Sequence, residues 1–297
     1  MSTNTAAAKG PSIDSKTKRK LKETAYACWK NKNFMIGFFI LLSVILVAIF
    51  ADFLAPYAYT EQSVGGRLEA PSADFWFGTD QLGRDVFSRT IYGSRIALWV
   101  AFLGGIIQLA IGIVVGLASG YFGKWTDRVL SFLTDLTWII PGTILALAVV
   151  TIIGKGLTNT VIAISFVAWA GYARPVRAKT MSLKHMAFLE TGKAFGESNF
   201  SLMARYILPN VIPSLVVMVS LNLPGTIMST TTLSFLGLGS QPPSPDWGLA
   251  ISDGLSNITR APWLSLFPGI ALVYTTFGFN LIGEGLRDLL DPHMKSQ

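Results

Sequence analysis

LKHMAFLETGKAFGESNFSLMARYILP, Leu183 to Pro209, is the longest polar interruption between the apolar runs of the second half of the chain. It does not read as a loop. Leu183, Ala187, Glu190 and Ala194 recur at i, i+4, i+7 and i+11, one face of a helix. Gly196 then breaks the pattern with a residue that tolerates the left-handed conformation at a helix C-terminus. Ser198 is a cap for a second short helix with Phe200, Ala204 and Ile207 on one side. Pro209 ends that helix and opens the next apolar run. The stretch predicts two short helices with a sharp turn at Gly196, held between membrane segments. Glu190 lies on the apolar stripe, which leaves two readings open. One is a helix resting on the membrane surface with its acid reaching to water. The other is a helix that docks onto a partner.

The rest of the chain places this stretch in a membrane. Its 297 residues are 51% hydrophobic and 14% charged, a membrane-protein composition. The net charge of +7 does not point to nucleic acid, because the basic residues cluster beside apolar runs. One cysteine, Cys28, excludes an internal disulfide. His185 and His293 lack metal-ligand spacing. Gly123-Lys124, Gly154-Lys155 and Gly192-Lys193 lack the neighbours of a phosphate-cradling G-x-x-x-x-G-K-[ST] loop, so no nucleotide-hydrolysing loop of that kind is present. No Ser/His or paired-acid arrangement occurs at bilayer depth, which argues against an intramembrane enzyme. The first 33 residues are too polar for a cleavable signal peptide.

Six apolar runs predict six spans: Phe34 to Leu54, Ile96 to Ser119, Val129 to Ile153, Leu157 to Ala173, Val211 to Leu238, and Trp263 to Ile282. With the N-terminus inside, eighteen of the 24 Lys and Arg fall on the inner side, the positive-inside bias. Arg67, Arg84, Arg89, Arg95, Lys155 and Arg260 fall outside. Between the first two spans, Asp85 and Arg89 form an i,i+4 pair on an expected interfacial helix. Gly112, Gly116 and Gly120 recur every fourth residue of the second span and permit close helix packing. Asp135, within the third span, is placed to pair with Arg128 or interfacial water.

In the fifth span Asn222, Thr226, Thr230 and Ser234 form one slowly winding polar stripe, interrupted at Pro224-Gly225. The stripe reads as a lining of a translocation pathway or as hydroxyls bonded to their own or a neighbouring helix. Val161 is expected on the periphery. Gly239 to Pro262 is an external loop carrying Gln241, Pro242, Pro243, Asp246 and Trp247, stiffened toward an extended form by its prolines.

Four segments also resemble one family. Glu190, Gly196, Leu208 and Pro209 match in spacing the E-A-A-x3-G-x9-I-x-L-P signature of ATP-binding-cassette importer permeases. Thr191-Gly192 replaces its two alanines and Tyr206 its isoleucine. The strings F-G-T-D-x-L-G-R-D from Phe77, S-F-L-G-L-G-x-Q-P-P-x-P-x-W-G from Ser234 and F-N-L-I-G-E-G-L-R-D-x-L-D-P from Phe279 follow in the expected order. Together they resemble the C-type permease subunit of dipeptide, oligopeptide and nickel importers.

The resemblance implies an all-α polytopic membrane protein with the type I permease fold. It implies a cytoplasmic tail (1–33), a first helix with an external amphipathic segment (34–94), a permease core (95–290) with its coupling loop at 176–210, and a cytoplasmic tail (291–297). Glu190, Ala194, Phe195, Gly196, Ser198, Leu208 and Pro209 are then the residues that couple to an ATPase. The implied partners are a homologous B-type permease, two cytoplasmic ATPases that use ATP and Mg²⁺, an extracytoplasmic substrate-binding protein, and lipid. No cofactor and no nucleic acid is expected on this chain. The implied location is the bacterial cytoplasmic (inner) membrane, with both termini cytoplasmic. Di- or oligopeptides are the expected substrates, with nickel or metal chelates as an alternative cargo. An ATPase-independent channel or secondary transporter is the alternative of a different class, although no internal repeat or charged relay supports it.

Overall fold

The computed structural model describes residues 26–290. Its named helices are α1 (Lys32–Ile49), α2 (Ala51–Leu54), α3 (Val86–Phe122), α4 (Lys124–Ile139), α5 (Gly142–Ile153), α6 (Leu157–Ala168), α7 (Ala170–Leu183), α8 (Ala187–Ala194), α9 (Asn199–Leu202), α10 (Leu208–Phe235), α11 (Trp247–Leu255) and α12 (Trp263–Leu290). A π-helical turn, Met203–Ile207, joins α9 to α10. The segments 1–25 and 291–297, which hold both expected cytoplasmic ends, lie outside the described residues.

The six expected spans take a different form. Among the described residues, four helices are long and apolar enough to cross a membrane: α1, α3, the stretch Asn199–Phe235, and α12. A bent pair, α4 with α5, brings the number to five. The third expected span thus breaks by 97° instead of running straight. Its cause is Pro141, which lacks an N–H and pushes Ile140 out of the helical region, to φ −92° and ψ 130°. The fourth expected span is shared between α6 and α7, which break at Trp169 and continue past Arg174 and Arg177 to Leu183. The fifth is not interrupted, because α10 runs through Pro213 and Pro224.

α3 is the spine. It packs along α7, and the expected glycine stripe is what lets it do so. A Cβ on Gly112 would collide with Tyr172, one on Gly116 would lie 2.6 Å from Val176 Cβ, and one on Gly120 2.7 Å from Thr180 Cβ. With side chains there, the seam could not close. α12 packs on α1 through Gly278 and Gly285, and also on α10 and α11. Val161, expected on the periphery, is fully buried in α6.

Asp135 pairs with Arg174 at 2.7 Å, not with Arg128. The companion pair is Asp127 with Arg177, which donates twice at 2.5 and 2.7 Å. Arg128 instead sits over the Trp125 ring.

Candidate functional site: a hairpin at one end and a folded cap at the other

The stretch Leu183 to Pro209 folds into a helical hairpin. α8 ends in two paired bonds: Gly196 N–H donates to Lys193 O at 3.0 Å, and Glu197 N–H to Gly192 O at 3.1 Å. This is the Schellman closure, and it requires the positive φ of Gly196, +77°. Ser198 then caps α9 by accepting from Ser201 N–H at 3.2 Å. The turn at Gly196 and the Ser198 cap both follow the sequence pattern.

The face of α8 does not. Ala187, Glu190 and Ala194 are exposed, and the buried side chain of α8 is Leu189, beside a buried Gly192. The helix starts only at Ala187, so Leu183 belongs to α7 and sets no phase for α8. Gly192, a departure from the family signature, is where α9 crosses α8. A Cβ there would lie 2.7 Å from Leu202 Cδ2. Tyr206, the other departure, donates from its hydroxyl to Glu197 Oε1 at 2.6 Å, while Ser201 donates to Oε2 at 2.6 Å. These two bonds hold the Glu197 carboxyl below its ordinary range. Glu197 thereby ties the turn to the second arm of the hairpin.

Pro209 does not end that arm. Leu208 N–H reaches back five residues to Met203 O. The widened π turn lets the chain pass the proline, which has no N–H and would crowd the preceding turn of an α-helix. The π turn also shifts the phase: Leu202 and Ile207, five apart, are both fully buried, and Phe200 is exposed. Leu189, Leu202, Ile207, Val211 and Leu215 form one core with Leu117 and Tyr121 of α3 and Val176 of α7. Tyr121 donates to Asn199 Oδ1 at 2.8 Å, and Lys193 lies over the Tyr121 ring. The hairpin is fixed to the end of the spine, with Phe195 (84% exposed) and Phe200 (77%) projecting from it.

The other end of α3 is capped by the segments expected to lie outside. Asp85 is the N-cap of α3, accepting from Ser88 N–H at 2.8 Å and Ser88 Oγ at 2.6 Å. It therefore makes no pair with Arg89. Arg89 turns inward and donates to three carbonyls: Tyr59 at 2.8 Å, Pro243 at 3.2 Å and Ser244 at 3.0 Å. The start of α3 is buried instead of lying at an interface. Gly239 to Pro262 is likewise no extended loop, since α11 forms within it. Asp246 caps α11 by accepting from Leu249 N–H at 2.9 Å, and Trp247 donates to Thr90 O at 2.9 Å. Burial pushes the Asp246 carboxyl up. Gln241, Pro242 and Pro243 remain exposed.

The polar stripe of α10 divides. Thr226 is buried and bonded to Gln108 of α3, with 3.1 Å from Gln108 Nε2 to Thr226 Oγ1. Thr230 donates back to Thr226 O at 2.9 Å, and Ser234 accepts from Ser240 N–H at 3.1 Å. Asn222 alone of the four lines a cavity of about 500 Å³, together with Ser229, Thr137, Thr143 and Pro141. Ser229 is the residue that sequence reasoning missed. Its signal was there: Asn222, Gly225 and Ser229 are spaced i, i+3, i+7, a second face of the same helix.

Known proteins with this sequence pattern decide the family. Residues 112–296 match the binding-protein-dependent transport system inner membrane component, and residues 23–71 match the N-terminal TM domain of oligopeptide transport permease C. The chain belongs to the binding-protein-dependent transport permeases. It is 43% identical to a dipeptide transport system permease protein of Alkalihalophilus pseudofirmus, over 90% of this chain and 88% of that one. It is 40% identical to a glutathione transport system permease protein of Pectobacterium atrosepticum, over 88% and 86%. It is 35% identical to the oligopeptide transport system permease protein OppC of Bacillus subtilis, over 93% of each. The MetNI methionine ABC transporter, solved in inward-facing conformations, shares the fold: TM-score 0.55 at 19% identity, over 69% of this chain and 98% of that one. This permease is a membrane-spanning subunit of an ATP-binding-cassette importer, and it is not the subunit that hydrolyses ATP.

Proposed function

We propose that this chain and a homologous permease form the translocation pathway of an importer for short peptides. In this reading the hairpin Ala187–Ile207 docks into a cytoplasmic ATPase, and a binding protein delivers substrate at the opposite end of α3. The observation that carries the reading is the hairpin itself. It is internally closed by the Gly196 turn and the Glu197 bonds, anchored on Tyr121, and yet it presents two large, mostly exposed aromatic side chains. Exposed aromatic anchors on a rigid support are what a helix-in-groove contact requires. Peptide cargo is supported by relatives named for dipeptide, oligopeptide and glutathione transport. Asn222 and Ser229 are the proposed pathway residues on this chain, because they line its cavity within the helical bundle.

Cross-linking tests the docking. In a Cys28→Ser background, Phe195→Cys and Phe200→Cys should each cross-link to the ATPase subunit of the assembled transporter. Transport should also stop when the ATPase subunits are deleted. Absence of both cross-links, with uptake persisting after that deletion, would leave an ATPase-independent channel as the better description.

A further inference from the structure

At the end of α3 opposite the hairpin lies a second cavity, of about 220 Å³. Val86, Trp247, Leu264, Pro242, Pro245 and Pro268 give it apolar walls. Four charged side chains also line it: Asp80, Arg84, Arg89 and Asp253. Two of them are already committed to the protein. Arg89 is spent on three backbone carbonyls. Asp80 accepts from Leu82 N–H at 2.8 Å, Arg84 N–H at 3.0 Å and Arg84 Nε at 2.6 Å.

The remaining capacity is unequal and opposite in sign. Arg84 is 8% exposed, and only its Nε is used. Its two terminal amino groups donate to no side chain or carbonyl among the described residues. Asp253 sits on α11, and its carboxylate accepts no hydrogen bond among the described residues. Burial pushes this carboxyl up, and the fields of Arg84 and Arg89 pull it back. The two residues therefore share the cavity without forming an ion pair. A buried guanidinium fork with two free donors matches a carboxylate. A free carboxylate on the lining of the same cavity matches an ammonium group. The apolar part of the lining accepts a short stretch of low polarity.

We propose that this cavity binds a small zwitterion, an amino acid or a very short peptide, with Arg84 on its carboxylate and Asp253 on its ammonium group. The site deepens the reading of the chain as a peptide-importer permease and rests on that reading for its extracytoplasmic side. It would hold substrate at the mouth of the pathway, in a cavity separate from the one that Asn222 and Ser229 line.

The test uses the assembled transporter in nanodiscs without its binding protein, with glycylglycine as the probe and titration calorimetry as the readout. Glycylglycinamide lacks the carboxylate, and N-acetylglycylglycine lacks the ammonium group. Each should bind at least tenfold more weakly than glycylglycine. Asp253→Asn should weaken glycylglycine tenfold or more and abolish the preference over the acetylated probe, while the preference over the amide persists. Arg84→Lys should reduce the preference over the amide. Because Arg84 also holds Asp80, Asp253, whose carboxylate makes no hydrogen bond among the described residues, is the deciding position. No saturable glycylglycine binding to the wild type, or unchanged binding to Asp253→Asn, overturns the site. ATPase-dependent uptake in the same samples reports separately on the importer reading, so the two can fail independently.

Discussion

Gly196 has no atom within 4 Å of the place where a side chain would go, so backbone conformation alone opposes substitution there. A β-branched residue at φ +77° is a strained outlier, at a cost of about 1–3 kcal/mol. Gly196→Val should therefore open the hairpin and uncouple ATP hydrolysis from uptake. Gly196→Asn, which enters the left-handed region more readily, should retain most of the coupling. Substrate-stimulated ATPase in the purified complex separates the two, and normal coupling in the valine variant would contradict a docking role for the turn. The threonines of α10 permit a similar contrast. Thr226→Leu would overpack a buried site and strip Gln108 of its partner, a loss of about 1–3 kcal/mol, so it should lower the yield of assembled complex. Asn222→Leu faces the cavity and should assemble normally while uptake falls. Equal transport by both variants relative to wild type would place the pathway elsewhere.

At the level of the hairpin, Glu197 sets a pH dependence. Its folded-state pKa is depressed by bonds from Ser201 and Tyr206. A depressed carboxylate contributes stability above its unfolded pKa and loses it as pH falls through the folded value. The hairpin should thus be equally rigid from about pH 8 to pH 5 and loosen only below the ordinary carboxylate value of about 4.3. The mobility of a spin label at Phe195→Cys, in a Cys28→Ser background, should follow that course, and Glu197→Gln should remove it. Much of this element was legible in advance. Gly196 and Ser198 mark its turn and cap by their own conformational preferences, which do not depend on neighbours. The buried face was not legible, because Leu189 and Gly192 are chosen by what packs on them: Leu202, and α3 and α7 from elsewhere in the chain. The π turn was hidden for the same reason. Pro209 reads as a stop until an extra residue in the preceding turn makes room for it.

Over the whole molecule, hydropathy located every apolar run but not what each run does with its polar neighbours. Pro141 was visible inside the third run, but the 97° bend that it permits also follows what each half packs on: α4 lies on α3 and α7, and α5 on α6 and α10. Asp85 and Arg89 read as a pair on an interfacial helix and are instead buried, because loops distant in sequence supply the carbonyls that Arg89 bonds and cover both residues. The glycine stripe was the exception. Its spacing foretold close approach, and the approach of α7 is what Gly112, Gly116 and Gly120 admit. Orientation is tested at this scale. With Cys28→Ser as the background, Ser252→Cys should react with an impermeant thiol reagent on intact cells, and Ser198→Cys only after the membrane is opened. The reverse pattern would invert the molecule and put the hairpin out of reach of any cytoplasmic ATPase.

α3 runs without a break from Asp85, beside the capped end, to Tyr121, which holds the hairpin. Its 37 residues make a rod of about 55 Å at the helical rise of 1.5 Å per residue. Such a rod is a lever. If its capped end is the fulcrum, a tilt of about 10° carries the hairpin end through roughly 10 Å, since displacement grows with the length that the helical rise sets. Seating a ligand or a binding protein at one end and moving an ATPase at the other would then be two readings of a single angle. The glycine seam is the bearing on which the lever and α7 must turn together or slide.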